Sequence, residues 1–212
     1  GFGGSINGKK SCSFGDISTT SFFPAKPLGC YGDGGAVFTD NDQWAELLRS
    51  YRVHGKGNDK YDNVRIGMNS RLDTVQAAIL CEKLEVFINY ELEKVKEIAE
   101  MYSEKLFDIV QTPKVLDGYV SSWAQYSILC KDSYERDAIM KTLKSKGIPS
   151  MIYYKKPLHR QTAFQNYKES MPVTLEASED ICSRILSLPM HPYLSQEDIQ
   201  NICNNIILGT QQ

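Results

Sequence analysis

Residues 18–39 read STTSFFPAKPLGCYGDGGAVFT, and this segment carries the strongest signals for fold and function in the chain. A β-prone run of hydroxyl and aromatic residues ends at Pro24, and four glycines follow before the segment closes. Lys26 lies between Pro24 and Pro27; each proline removes a backbone donor and restricts φ, so the lysine backbone is not expected to be helical. A desolvated amine has a lowered pKa and attacks carbonyl carbons, which makes Lys26 a candidate nucleophile. The alternative is a surface lysine on a proline–glycine loop.

The composition of the chain excludes several classes of protein. Its 212 residues, 42% hydrophobic and 24% charged, have the composition of a globular protein with a sizeable core. A net charge of −2 provides no basic field that would favour nucleic acid or an anionic membrane. No apolar run approaches the ~20 residues that span a bilayer, and the first residues lack the pattern of a signal peptide. We therefore expect a cytoplasmic protein that binds neither nucleic acid nor membranes.

The six cysteines are scattered along the sequence, without a Cys-x-x-Cys pair and without a neighbouring histidine cluster. This spacing fits neither zinc ligation nor a disulfide framework, so no metal site is expected. Most of the cysteines are expected to be small buried residues in a reducing compartment. Cys30 lies beside the glycine loop and is the one cysteine with two alternatives, a reactive thiol or a packed side chain.

Local patterns predict mainly strands at the start of the chain. The first sixteen residues contain five glycines, which predict a loop or hairpin followed by a short strand near residues 11–14. Two longer strands are predicted over residues 17–23 and 36–39, on either side of the proline and glycine positions.

Two helices are predicted in the middle of the chain. The first covers residues 43–51 and is capped within Asp40-Asn41-Asp42. The second runs from residue 71 to about residue 106, with a break near Asn89, and its mixed-charge face is expected to be solvated. The first helix has an apolar face at helical spacing, formed by Trp44, Leu47, Leu48 and Tyr51.

The remainder of the sequence alternates between the two kinds of element. Gly147 is expected to end a helix, because glycine readily adopts the left-handed conformation that follows many helices. Alternation of this kind is typical of a small α+β domain. Strands are predicted over residues 121–129 and 148–154, and helices over residues 133–146, 176–186 and 198–208.

Four motifs resemble, in the same order, those of the DegT/DnrJ/EryC1/StrS family of sugar aminotransferases, which use pyridoxal phosphate (PLP). They are Ser-Phe-Phe-Pro-x-Lys with Gly-Asp-Gly-Gly-Ala in residues 21–36, Arg-Val-His-Gly in 52–55, Gly-Met-Asn-Ser-Arg-Leu-Asp-Thr-Val-Gln-Ala-Ala-Ile-Leu in 67–80, and Tyr-Tyr-Lys-Lys-Pro-Leu-His in 153–159. The resemblance covers essentially the whole chain and the second half of the family's usual length. The residues of the third motif most resemble those of family members that act on UDP-linked 2-acetamido hexuronates in the synthesis of lipopolysaccharide O-antigen.

The resemblance implies an α/β protein with fold type I of the PLP-dependent transferases, similar to aspartate aminotransferase. Residues 1–56 would be the end of the large PLP-binding domain, residues 57–107 a loop and a long connecting helix, and residues 108–212 a small C-terminal α+β domain. In the family, an aspartate that contacts the PLP ring nitrogen precedes the position at which this chain begins. We therefore expect these 212 residues alone to be inactive.

The resemblance also implies roles for individual residues around the cofactor. Lys26 would bind PLP covalently and move the substrate proton; lysine rather than histidine at this position favours transamination over dehydration. The hydroxyl of Ser21 would donate to the PLP phosphate. Asn69 precedes the long helix, so it is either an N-cap or, as in the family, a ligand of the PLP phosphate in the neighbouring subunit.

Four further residues are implied to contact the substrate: Arg71, Tyr153, Tyr154 and His159. Many relatives have histidine where this chain has Tyr153. The implied function is transfer of an amino group, from L-glutamate, to a UDP-linked 2-acetamido-3-keto-hexuronate by a homodimer with shared active sites. The rival interpretation is a non-catalytic remnant or interaction domain.

Overall fold

A computed structural model describes residues 1–170 and 175–211 of the chain. It divides into two compact units, which we call the first and second units. The first unit comprises Gly1–Glu93 with Val115–Ala124, and the second comprises Lys94–Lys114 with Gln125–Gln212. The three-part division expected from the family resemblance stays a prediction.

The strands of the first unit form two small antiparallel sheets. In one, β1 (Ser5–Ile6) lies between β2 (Lys9–Lys10) and β5 (Tyr119–Val120). In the other, β3 (Ser18–Ser21) pairs with β4 (Gly35–Phe38), so residues 22–34 form the loop that joins them. The strands predicted on either side of the proline and glycine positions are therefore confirmed.

The short strand predicted near residues 11–14 is wrong. These residues form turns and bends, and Cys12 has a φ of 65°. Ser13 donates its hydroxyl to the carbonyl of Lys10 at 2.6 Å. A left-handed residue and a local side-chain bond of this kind close a turn and interrupt the alternation of a strand.

Helix α1 (Asp42–Tyr51) confirms the predicted helix and its cap, since the Asn41 side chain accepts a hydrogen bond from the backbone of Trp44 at 3.0 Å. The predicted long helix is present as α2 (Thr74–Val86), a π-helical turn (Phe87–Glu91) and α3 (Leu92–Leu106). The predicted break near Asn89 falls inside this turn. The predicted start of the long helix at residue 71 is wrong, because Asp73 occupies the N-cap position of α2 in extended conformation.

The core of the first unit joins the β3–β4 loop to α2. The ring of Phe2 adds edge-on contact with Phe22 and stacked contact with Phe87, with centroids 6.1 and 6.0 Å apart. Burying side chains of this size contributes about 1.5–3 kcal/mol each. The buried members of this cluster are Phe22, Leu28, Cys30, Leu80 and Phe87.

The described cysteines are all free thiols. Cys30, Cys130 and Cys203 are buried, whereas Cys81 is exposed and the remaining two are half-buried. The expectation that most are buried therefore holds for only part of the set.

The second unit packs helices around a two-stranded antiparallel sheet, in which Tyr126 pairs with Leu188 and Leu129 with Ile185. The capping box of Ser195 and Asp198 begins the last helix, which packs on α4 (Ser133–Ser145) so closely that a Cβ on Gly209 would lie 2.7 Å from the Cα of Ile139. After α3, the elements of the second unit are β6 (Tyr126–Leu129), α4 (Ser133–Ser145), 3₁₀ turns (Leu158–Arg160 and Thr162–Ser170), α5 (Glu176–Arg184), β7 (Ile185–Leu188) and α6 (Gln196–Thr210).

The predicted helices over residues 133–146 and 198–208 are confirmed, and three other predictions in this part of the chain are wrong. Instead of a strand over residues 148–154, only Met151 forms a bridge, to Ser187, because Pro149 lacks the N–H that a ladder needs. The helix predicted to continue to residue 186 ends at Arg184, and β7 follows. The strand predicted from residue 121 begins at Tyr126.

A polar cluster lies inside the second unit. The hydroxyl of Tyr102 donates to the carbonyl of Pro189 at 3.0 Å, and the hydroxyls of Ser103 and Tyr126 are 2.8 Å apart. The two tyrosine ring centroids are 5.0 Å apart. Burial of the rings raises the pKa of Tyr102 well above its usual range and that of Tyr126 to about 12.

We predict that the stability of the second unit falls in alkali, and that Tyr126 accounts for part of the fall. Its pKa is about 12 in the folded state against 10.0 for the free side chain, so the folded state holds this proton more tightly. The resulting stabilisation is complete below pH 10 and is lost as the pH rises towards 12. Urea unfolding at stepped pH, followed by circular dichroism, measures the loss.

Tyr126→Phe removes the titrating hydroxyl and should make the decline between pH 10 and 12 shallower. Tyr134→Phe is the matched control, because Tyr134 lies on α4 with 85% of its surface exposed. Equal slopes for the two variants would contradict the prediction.

Candidate active site

The loop that carries Lys26 is held by its own backbone. The backbone N–H groups of Lys26 and Cys30 donate to the carbonyls of Phe23 and Phe22, both at 2.8 Å. A Cβ on Gly29 would lie 2.7 Å from the carbonyl oxygens of both Phe23 and Pro24, so only glycine permits this close approach. The turn that presents Lys26 is therefore packed directly against the glycine that follows it.

The side chains of Lys26 and Ser21 are both exposed. Within residues 1–170 and 175–211, the Lys26 amine has no hydrogen-bond or ion-pair partner. The Ser21 hydroxyl accepts a hydrogen bond from the backbone of Phe23 at 3.2 Å, which leaves its own proton available for donation. The end of β3 thus presents a hydroxyl donor to solvent, and the following loop presents a primary amine.

Asn69 and Arg71 lie in a cleft of about 1440 Å³ within the first unit. The amide oxygen of Asn69 accepts from Nε of Arg71 at 3.0 Å. The cleft is also lined by β3, β4 and α1, whereas Ser21 and Lys26 are not among its lining residues. The cleft therefore brings together two of the four site residues predicted in this unit.

Asn69 is not a helix cap, so this interpretation is corrected. Helix α2 begins at Thr74, and Asp73 occupies the cap position. Asn69 instead forms a β-bridge with Val53, and Ser70 donates its backbone N–H to the carbonyl of Arg52 at 2.9 Å. Its side-chain amide is consequently free of any capping role.

The Arg-Val-His-Gly motif shapes the loop between α1 and Asn69. Gly55 has a φ of 74°, and a Cβ at this position would lie 1.8 Å from the carbonyl oxygen of Arg65. The guanidinium of Arg65 donates to the hydroxyl of Ser50 at 3.2 Å, and this hydroxyl donates to the carbonyl of Lys56 at 2.7 Å. This motif has a structural role that positions the residues preceding α2.

The remaining predicted site residues lie in the second unit. The rings of Tyr153 and Tyr154 meet edge to face with centroids 5.6 Å apart, and Tyr154 is 68% exposed. Nε2 of His159 lies 3.0 Å from Oε1 of Glu179, and Nε of Arg160 donates to the same oxygen at 2.8 Å. The bonds from His159 and then Arg160 hold the pKa of the Glu179 carboxyl below its usual value.

Sequence reasoning missed three residues that hold these segments. Glu179 orients His159, although no local pattern singles it out. Gln76 and Lys83 of α2 bind the backbone of the Lys26 loop, through Tyr31 and Gly29. Gln76 belongs to the Gly-Met-Asn-Ser-Arg-Leu motif block, which was the available signal.

Two other features are absent from the described part of the chain. Its helices include none with the length and apolar character needed to cross a membrane. Its His, Cys, Asp and Glu side chains form no group of three that could hold a metal ion.

Comparison with known proteins identifies the class to which this fold belongs. The chain superposes on the structure of a DegT DnrJ EryC1 StrS aminotransferase from Brucella abortus with a TM-score of 0.91 and 49% sequence identity. The superposition covers 100% of this chain and 55% of that protein. A Bacillus subtilis protein solved with bound cofactor PMP has a TM-score of 0.84 and 25% identity, covering 95% of this chain and 47% of its own. The predicted fold class is confirmed.

The chain belongs to the DegT/DnrJ/EryC1/StrS aminotransferase family, whose sequence profile matches residues 1–207. It is 41% identical over 203 residues to the UDP-2-acetamido-2-deoxy-3-oxo-D-glucuronate aminotransferase of Pseudomonas aeruginosa. That alignment covers 95% of this chain and 54% of the relative. The chain therefore spans about half the length of the curated relatives it matches, and the family resemblance is confirmed.

We predict that Gly55→Ala opens the loop between α1 and α2. An alanine would have to adopt a left-handed φ at about 1–2 kcal/mol and displace the Arg65 carbonyl. Trypsin should then cleave faster at the exposed Lys56 and Lys60. Gly8→Ala is the control, since Gly8 has a φ of 79° with nothing within 4 Å. Unchanged cleavage in Gly55→Ala would show that the loop tolerates a Cβ.

Proposed function

We propose that this chain supplies the catalytic lysine of a PLP-dependent aminotransferase, which transfers an amino group from L-glutamate to a keto group on a nucleotide-linked sugar. The observation that carries the proposal is Lys26, an exposed amine without a side-chain partner among the described residues, on a loop fixed by backbone hydrogen bonds. Its neighbouring sequence matches a family of aminotransferases. A primary amine is the group needed to bind a carbonyl cofactor covalently.

The donors available in the first unit fit PLP. Lys26 provides the amine, Ser21 a hydroxyl with a free proton, and Asn69 an amide with a free N–H₂ group. A phosphate is bound by several neutral donors of this kind, and the cofactor carbonyl by the amine. When bound, PLP supplies an electron sink that makes the α-proton of an amino acid removable. Solved structures of this fold contain the cofactor in its PLP or PMP form.

The chain's own residues would then hold the reactants and move one proton. Nζ of Lys26, when neutral, would take up the proton from the α-carbon of the amino donor and deliver it to the cofactor carbon, because a neutral amine is an effective base. The Ser21 hydroxyl would hold the phosphate of the cofactor bound by its own subunit, and the Asn69 amide that of the neighbouring subunit. Arg71, already oriented by Asn69 at 3.0 Å, offers a planar set of donors to an anionic nucleotide group.

We further propose a UDP-linked 2-acetamido-3-keto-hexuronate as substrate, in lipopolysaccharide O-antigen synthesis. The support is the 41% identity to a relative named for a UDP-2-acetamido-2-deoxy-3-oxo-D-glucuronate. Tyr153, Tyr154 and His159 are assigned to this sugar nucleotide. His159 is suited to such a contact, since Glu179 fixes its ring and leaves the other nitrogen available.

The rival function, a non-catalytic interaction domain, is not favoured. The family to which the chain belongs is named for aminotransferases. Covalent capture of PLP separates the two functions directly.

We predict that PLP is captured on Lys26 in the protein as encoded in full by its gene. Borohydride reduction followed by peptide mapping should place the pyridoxyl group on Lys26. Lys26→Ala should abolish capture and turnover and change the free energy of unfolding by no more than about 0.5 kcal/mol, because the side chain is exposed. Lys10→Ala, an exposed lysine on β2, is the control. A pyridoxyl group elsewhere, or none, would refute the assignment.

We also propose that two copies share their active sites, with Asn69 serving the cofactor of the neighbouring subunit. Two-fold pairing is the commonest symmetric assembly. Mixing Lys26→Ala subunits with Asn69→Ala subunits should then restore part of the activity, because one of the two sites in each mixed dimer is intact. About a quarter of all sites would be active after random exchange, and about a half if every dimer were mixed. Absence of activity after verified subunit exchange would mean that each site is built from one subunit.

A further inference from the structure

Two polar side chains of α2 bind the backbone of the loop that carries Lys26. Oε1 of Gln76 accepts a hydrogen bond from the backbone N–H of Tyr31 at 2.7 Å. Nζ of Lys83 donates to the carbonyl of Gly29 at 2.5 Å. Positions seven residues apart lie on the same face of a helix, so both side chains point from one face of α2 to the loop. We call this pair the α2 anchor.

Apolar contacts on the same helix face reinforce the α2 anchor. Leu80 lies between the two polar residues and packs in the cluster that contains Leu28 and Cys30. Cys30 is fully buried, and its thiol lies within hydrogen-bonding distance of the carbonyls of Phe22 and Gly32, at 3.0 and 3.1 Å. Residues 28–32 are thus held against α2 by side chains and by their backbone.

Two glycines of the loop lie close to neighbouring side chains. A Cβ on Gly32 would lie 3.3 Å from the amide nitrogen of Gln76. A Cβ on Gly34 would lie 2.8 Å from the thiol of Cys30 and 3.1 Å from a methyl group of Leu72. Gly32 therefore lies against α2, and Gly34 lies against Cys30 and Leu72, as expected for glycines that shape a backbone rather than bind an anion.

The α2 anchor is connected to Lys26 through the backbone. Lys83 holds the carbonyl of Gly29, and the Cα of Gly29 packs against the carbonyls of Phe23 and Pro24. The carbonyl of Phe23 accepts the N–H of Lys26 and closes the turn on which the lysine lies. A displacement of residues 29–32 from α2 would consequently displace this turn.

We propose that Gln76 and Lys83 are positioning residues for Lys26: they fix the loop on α2 and thereby set the location of the catalytic amine. This inference rests on the proposed function, in which Lys26 binds the cofactor. The residues touch neither cofactor nor substrate, and they act through the backbone of residues 29–32. Nothing in their own chemistry is used in the reaction.

The experiment compares paired variants in the protein as encoded in full by its gene. Gln76→Met keeps the length of the side chain and removes the acceptor, whereas Gln76→Glu keeps an acceptor oxygen. Lys83→Met and Lys83→Arg form the second pair, since arginine keeps a cationic donor. Gln43→Met, at an exposed position on α1, controls for the general effect of such a change.

Two measurements are made on every variant. Hydrogen–deuterium exchange of peptides covering residues 24–34, without added PLP, reports whether the loop is released. The rate at which borohydride-trappable pyridoxyl-Lys26 forms, measured against pH, reports the position of the amine. In Gln76→Met and Lys83→Met we expect exchange to increase in this loop alone and trapping to slow by about tenfold or more, since small displacements of a reacting group carry costs of this size. Gln76→Glu and Lys83→Arg should restore both.

Three results would overturn the proposal. Native exchange and trapping in Gln76→Met and Lys83→Met would show that the α2 anchor is dispensable. Faster exchange throughout the first unit would show that these residues serve stability rather than position. Released loops with native trapping would show that the location of Lys26 does not depend on α2. A failure of the unmodified protein to trap PLP on Lys26 would instead refute the proposed function, and the exchange data would still decide whether the α2 anchor holds the loop.

Discussion

The packing of residues 22–34 against one face of α2 is the constraint on which the first unit depends. The loop cannot bury its own backbone polar groups without partners, and α2 supplies an acceptor from Gln76 and a donor from Lys83. Cys30 packs in the same apolar cluster as Leu80 of α2 and has no exposed surface. The glycines follow from this geometry, since a Cβ on Gly34 would strike both the thiol and Leu72. Lys26 then lies with its side chain exposed on a turn whose backbone is held by hydrogen bonds.

In the second unit, too, helices and strands hold a loop that carries proposed site residues. A rigid sheet and the α4–α6 pair supply the scaffold, and the polar tyrosine cluster satisfies its buried hydroxyls at 2.8 and 3.0 Å. The loop that contains Tyr153, Tyr154 and His159 is attached to this scaffold through Glu179 of α5. Apart from Ser21 at the end of β3, the residues assigned to chemistry lie outside the strands and α-helices, and the elements beneath determine where those segments lie.

The elements predicted successfully depend on interactions within a few residues. The cap at Asn41 bonds to Trp44, and the positive φ of Gly147 follows the helix that ends at Ser145. The errors arose where distant pairing competes with local preference. Ile185–Leu188 continues an amphipathic helical pattern, yet it forms a strand because Tyr126–Leu129 is available to pair with it. Residues 148–154 contain β-prone side chains, but Pro149 lacks an N–H for a ladder, and the pairing is limited to one bridge between Met151 and Ser187.

Ordered motifs and local backbone preferences lie in consecutive residues, so they were enough to establish the family and the fold class and to single out Lys26 as the proposed catalytic lysine. How those motifs support one another became apparent only in the folded chain. Gln76 meets the backbone of Tyr31 across 45 residues, and Lys83 meets Gly29 across 54. His159 meets Glu179 across 20 residues. No periodicity encodes contacts at such separations, since they exist only after strands, loop and helix have packed together.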